Sequence, residues 1–435
     1  MNTKSFLFLA MSLLINSVWA QNTQVIDLAT LQQKARANNK NILAGRESIK
    51  QAEGNVKQTD AVFLPNVSLS HTGISSNNPL AVFGTKLNQA IITQSDFNPD
   101  FLNNPNDIQD FATRLSIEQP ILNLDAIYQR KAAQSQLMAI NYQQERSMQY
   151  LMLEVEQSYL YLQIAYKTVD VLQTTNESIR ATQSVAQNAF DEGLLQRADL
   201  LEIEVKLIEV ENQLVQAKSK INDLSDELIL LTGDTTELIF QPSSELNQNT
   251  INDVETYIPD NRKDLLAQEA RIEAFAQQAK SDRMSLLPKL NAFGTYELHD
   301  NGLFQGSVST YLVGASLQWD IFQGNRRAGK KISSEAQYNK ARLTYAHYKE
   351  ESKAELQKAF RSLENAKNAI ALNAKAITQA EEALRVRRNR LAQGLEKPND
   401  VLQTETLVAQ QKLAYYQSVV TYNFTKAYIE FLTQE

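Results

Sequence analysis

The chain has 435 residues with 43 Lys and Arg against 50 Asp and Glu, and the net charge of -7 excludes the clustered, uncompensated cations that a nucleic-acid partner requires. The absence of Cys excludes thiol catalysis, disulfides, Cys-ligated zinc and a lipid on an N-terminal Cys. Only 13 Gly and 9 Pro punctuate the chain, so long elements are expected, and a mean hydropathy of -0.38 excludes a bundle of membrane helices.

Residues 1–20 read as a secretory signal peptide. Lys4 precedes an apolar run from Phe6 to Ile15, and Val18 and Ala20 suit the cleavage positions before Gln21. The run is too short to span ~30 Å of hydrocarbon, and nothing downstream approaches the ~20 apolar residues of a membrane helix. If the mature protein crosses a membrane, it does so as strands.

From residue 21 the first half reads as a helix over 27–62, a strand at 66–75, an Asn- and Pro-rich excursion at 76–110, a strand at 111–119, and a long helical hairpin over 124–232. In the hairpin, Leu151, Val155, Leu162, Ala165, Val169, Leu172, Ile179 and Ala186 keep steps of three, four or seven. Such a stripe of period near 3.5 indicates coiled-coil packing, and about 65 residues at ~1.5 Å each make a rod of roughly 100 Å. The hairpin bends at "DEGLLQRADLLE" (191–202), where Gly suits the left-handed end of one helix and Asp199 the cap of the next. A polar connector at 233–261 follows.

The second half repeats the first. "VFLPNVSLS" (62–70) pairs with "SLLPKLNAF" (285–293), "EQPILNLD" (118–125) with "QWDIFQGN" (318–325), and the first bend with "AQGLEKPNDVLQ" (392–403). Ile121 and Ile321 lie 200 apart and Gly193 and Gly394 lie 201 apart, whereas Pro65 and Pro288 lie 223 apart, which puts 23 extra residues in the first half's early loop. This is a tandem duplication: repeat one at 21–232, repeat two at 262–435, the latter with a helix, strands at 289–298 and 311–320, and a helical hairpin over 325–433.

All four strands alternate. Val67 and Leu69 oppose Ser68 and Ser70, Leu115 and Ile117 oppose Arg114 and Ser116, Tyr296 and Leu298 oppose Thr295 and Glu297, and Tyr311, Val313 and Leu317 oppose Gly314, Ser316 and Gln318. At 9 to 10 residues each fits a tilted membrane strand, with Tyr311 and Trp319 placed as interfacial aromatics. The alternative is a soluble amphipathic sheet. Four strands cannot close, and open edges are forbidden in hydrocarbon. Two copies would give eight strands filled by side chains, while three give twelve with room for a lumen.

The whole pattern resembles the TolC-like outer-membrane efflux family (the outer membrane factors). The resemblance implies a mainly α fold with a membrane β-barrel: a homotrimer whose helical hairpins form a periplasmic α-barrel and whose strands form a shared twelve-stranded barrel in the outer membrane. It implies a passive exit duct for tripartite efflux or type I secretion, with a periplasmic adaptor at the bends and an inner-membrane RND, ABC or MFS pump behind it. Gly193, Leu194, Gly394 and Leu395 fall at the tips that adaptors contact, Asp400 falls where the family places an aperture carboxylate, and Asp199 falls where the neighbouring hairpin is linked to the family's Tyr and Arg. Gln403 departs from the family's second carboxylate, and Leu391 and Glu396 stand where its best-known members carry a Tyr and an Arg.

The remaining motifs carry no chemistry. "GNRRAGKK" (324–331) mimics a phosphate-binding loop, but Lys331 stands where the magnesium-holding Ser or Thr belongs, so it reads as a basic collar at the barrel rim or a solvated helix start. His71, His299 and His347 are isolated, without HExxH or a carboxylate at ligand spacing, and Arg385, Arg387, Arg388 and Arg390 read as a solvated face, with an adaptor contact as the alternative. No enzyme activity, cofactor or metal is expected, and outer-membrane lipid is an expected partner. The competing reading is a periplasmic coiled-coil spacer or adaptor without a barrel; heat-modifiable migration and detergent-dependent extraction distinguish the two.

Overall fold

The computed structural model describes residues 23–235, 238–249 and 255–435; the expected signal peptide at 1–20 lies outside them. The elements in chain order are β1 (Thr23–Ile26), α1 (Leu28–Asn38), α2 (Lys40–Gln58), β2 (Asn66–Ser76), α3 (Pro79–Asn88), α4 (Pro99–Asn103), β3 (Ile108–Leu122), α5 (Leu124–Asp191), α6 (Arg197–Thr232), β4 (Ile239–Pro242), α7 (Lys263–Met284), β5 (Lys289–Asp300), β6 (Val308–Gln318), α8 (Arg326–Ala392) and α9 (Pro398–Thr433). Among the described residues no helix is long and apolar enough to cross a membrane. The chain divides into two compact units.

One unit holds residues 48–142 and 266–346. Its centre is an antiparallel sheet in the order β2-β3-β5-β6, so the strands of the two sequence halves meet at β3 and β5. Register sorts the side chains by face. Leu69, Leu115, Tyr296 and Tyr311 lie in one row across the sheet, and Ser70, Arg114, Glu297 and Thr310 in the next row on the opposite face. Val67, Leu69, Tyr311, Val313 and Leu317 are exposed, although a pleated apolar face of this kind is normally buried. β2 and β6 are the edges, each with one side unpaired among the described residues. β3 runs three residues beyond the alternating segment at either end, with a register shift at Pro120, the residue that cannot donate to the ladder.

The excursion at 76–110 is not a plain loop. Asn78 and Asn98 accept from the backbone N–H groups of Leu80 and Asp100, and Pro79 and Pro99 follow at the first helical position, so each Asn-Pro pair starts a helix. Gln89, at the end of α3, donates to the Asp110 carboxylate at 2.9 Å and to the Asp300 carbonyl at 3.1 Å, fastening the excursion to the ends of β3 and β5. His299 is not isolated as the sequence suggests. It lies 3.0 Å from Asp110 and 3.3 Å from Glu297, because the strand register brings them together. His347 likewise sits 3.2 Å from Glu351, one helical turn on.

The other unit holds residues 23–47, 143–265 and 347–435. Here the stripe of α5 is buried as its period requires: Val155, Leu162, Ile179 and Ala186 have almost no exposed surface. The connector contributes more than a surface link. β4 pairs in parallel with β1, and Phe240 is buried among Ile26, Leu31, Leu162 and Leu228. The helix expected over 27–62 breaks at Asn39, whose side-chain oxygen accepts from Asn41 and Ile42 and restarts the helix.

Arg262 is only 1% exposed. It forms a two-pronged pair with Asp264 at 2.7 and 3.0 Å and donates to Ser352 at 2.8 Å, while Arg146 lies 3.7 Å from the same carboxylate and stacks on Phe431. Burial pushes the Asp264 carboxyl up, but hydrogen bonds from Arg262 and Tyr348 and the two guanidinium charges outweigh it and hold it below the usual range. A depressed carboxyl adds stability above its unfolded value of about 4 and loses it as pH falls through the folded value. Arg262→Met leaves this carboxylate short of a partner and is expected to cost about 3 kcal/mol, seen as earlier unfolding at neutral pH. The deficit should shrink in acid, where Asp264 is neutral.

Candidate functional site

The two bends are built alike. At the first, the Leu194 N–H donates to the Ala189 carbonyl at 2.8 Å and the Gly193 N–H to the Phe190 carbonyl at 2.9 Å; at the second, Leu395 donates to Arg390 and Gly394 to Leu391, both at 2.9 Å. This six-to-one and five-to-two pair closes a helix only if the residue between adopts a left-handed backbone. Gly193 has φ +76° and Gly394 φ +72°, with open space around both. The leucines beside them protrude, Leu194 75% and Leu395 62% exposed.

The following helices start at Arg197 and Pro398. Gln196 and Lys397 hold the extended cap conformation, so Asp199 and Asp400 sit at the third helical position rather than at the cap. The Asp199 carboxylate accepts from the Gln196 N–H at 3.2 Å, a local closure of the helix start. Asp400 makes no such bond. Its nearest charge is Arg387, at 3.9 Å.

Glu396 accepts from Arg387 at 2.9 Å and Arg390 at 2.8 Å, both on α8. Glu396 thus lies between two guanidiniums of its own hairpin. Gln403 is exposed and lines a groove of about 550 Å³ between α6 and α9, with Leu201, Val205 and Lys206.

Glu405 has almost no local signature in the sequence. It is 2% exposed, and its Oε1 accepts from Ser178 at 2.8 Å and Thr182 at 3.1 Å on α5, and from Arg388 at 3.1 Å on α8. Oε2 has no hydrogen-bond partner. One α9 carboxylate thus ties helices of both hairpins together. Arg388 is therefore more than a solvated-face residue: it also donates to Ser178, while Arg385 pairs with Glu382. Beside this clamp lies a cleft of about 530 Å³, lined in part by Thr174, Lys412 and Tyr416.

Comparison with known proteins agrees with this architecture. The chain matches the family described as outer membrane efflux protein over residues 31–234 and 258–428. It is similar in fold to CusC, with 15% identity and a TM-score of 0.81 over 96% of this chain and 95% of that one, in a structure described by its conformational changes on folding and transmembrane channel formation. The CmeC outer membrane channel of Campylobacter jejuni aligns at 16% identity and a TM-score of 0.82, over 93% and 85%. The outer membrane protein VceC from Vibrio cholerae aligns at 18% and 0.78, over 93% and 96%. No curated protein sequence matches the chain.

Proposed function

The chain belongs to the outer membrane efflux protein family, whose members are outer-membrane channels and not enzymes, and on that premise we propose that three copies form the exit duct of a tripartite efflux or secretion system. It resides in the outer membrane. The observation that carries the trimer is the four-stranded sheet, with an exposed apolar face and an unpaired edge on either side. In hydrocarbon those edges must be filled, and three sheets joined edge to edge make twelve strands around a lumen. In this reading residues 1–20 are removed on secretion, the two repeats at 21–232 and 262–435 supply two strands each, and the bends at Gly193 and Gly394 meet a periplasmic adaptor coupled to an RND, ABC or MFS pump. The spacer alternative would leave the apolar face in water.

Asp400 is the aperture residue. Its weak tie to Arg387 leaves a carboxylate that threefold symmetry brings near two others, where like charges draw in cations. Purified mature protein in planar bilayers should open discrete channels, and Asp400→Ala should weaken blockade by multivalent cations severalfold. Absence of channels contradicts the duct; channels with unchanged blockade leave Asp400 as a helix-start residue alone.

A further inference from the structure

The end of the sheet at Asn66, Leu122, Lys289 and Gln318 carries features that the duct does not use. Phe63, Leu64, Ile121 and Trp319 are more than half exposed there, and Ile321 and Phe322 reach 79% and 84%. The Trp319 indole N–H donates to the Leu286 carbonyl at 3.0 Å, which fixes the ring at the rim. α8 then begins with four cations in six residues and no acidic residue in its first turn.

Two of those cations are satisfied. Arg327 pairs with Asp320 at 3.6 Å, holding the start of α8 against the rim, and Lys330 pairs with Asp282 at 2.8 Å. Arg326 and Lys331 are exposed and have no acidic partner among the described residues. Arg326, in the first turn, also faces the positive end of the helix dipole. An apolar rim fused to uncompensated positive charge matches one surface: hydrocarbon with anionic phosphate at its boundary.

We propose that residues 319–322 together with Arg326 and Lys331 dock the anionic phospholipid headgroups of the leaflet facing the long helices. This rests on the barrel reading above. The rim enters the acyl boundary, and the two side chains reach the headgroup phosphates, fixing the depth of the barrel and marking where α8 leaves the membrane.

The test compares wild type with the double variant Arg326→Gln, Lys331→Gln, as full mature chains inserting into vesicles of phosphatidylcholine alone or mixed with phosphatidylglycerol. Wild type should insert better into the mixed vesicles by roughly thirtyfold, at about 1 kcal/mol for each of the two cations, with the preference fading at high salt. The double variant should lose that preference and insert into phosphatidylcholine as wild type does. A wild type indifferent to phosphatidylglycerol, or a variant that keeps the preference, overturns the proposal. Loss of the preference on adding inorganic phosphate would also overturn it, showing a site for free anions. Failure of wild type to insert into either vesicle would instead refute the barrel itself.

Discussion

Gly394→Pro is expected to abolish export while sparing assembly. Proline fixes φ near -65° and has no N–H, whereas Gly394 sits at +72° and donates to the Leu391 carbonyl. Both requirements of the bend fail together, and Leu395 is then no longer presented beyond it. The space around Gly394 is open, so conformation and not bulk decides the outcome. Gly394→Asn should therefore keep most activity, since Asn visits the left-handed region at small cost. The readout is growth of an export-deficient strain on the toxic substrate, with heat-modifiable migration as the check on assembly. Full resistance conferred by the Pro variant would contradict docking at the tips.

Arg388→Met should raise conductance at rest. Glu405 is buried, with one oxygen already unpartnered, and Arg388 is its only counter-charge among the described residues. Arg388 is itself half exposed, so its loss falls between the exposed and buried limits for an ion pair, at about 2 kcal/mol per chain. In the proposed trimer, three such clamps released together would amount to about 6 kcal/mol, enough to carry a two-state gate that closes through them across its full range of about 5.5. Adding Glu405→Gln removes the stranded charge and should return part of the loss, so the pair should show coupling in a double-mutant cycle. Single-channel recordings of Arg388→Met that match wild type would dismiss the clamp as packing.

Much of this was legible because it follows local periods. The strands show as two-residue alternation, α5 and α8 as near-heptad stripes, and the bends as Gly between helical runs. What escaped lacks a local signature. β1 and β4 are four residues each and pair across more than two hundred positions, so no pattern announces them. Glu405 meets Ser178 at a separation of 227; its one trace is an acid on the buried stripe of Val401, Leu402, Thr404 and Val408. The starts of α3 and α4 were visible as Asn-Pro pairs, but the same residues equally mark turns. At the bends, Asp199 and Asp400 lie at the third helical position and not at the cap that the spacing suggested, because Gln196 and Lys397 hold the extended cap conformation although their side chains are poor caps.

The central claim is that one chain holds too few strands to enclose a pore. The mass of the purified mature protein in detergent, measured by light scattering, tests it most directly. The account predicts three chains per particle and precipitation when detergent is withdrawn; a stable monomer in detergent-free buffer would contradict it.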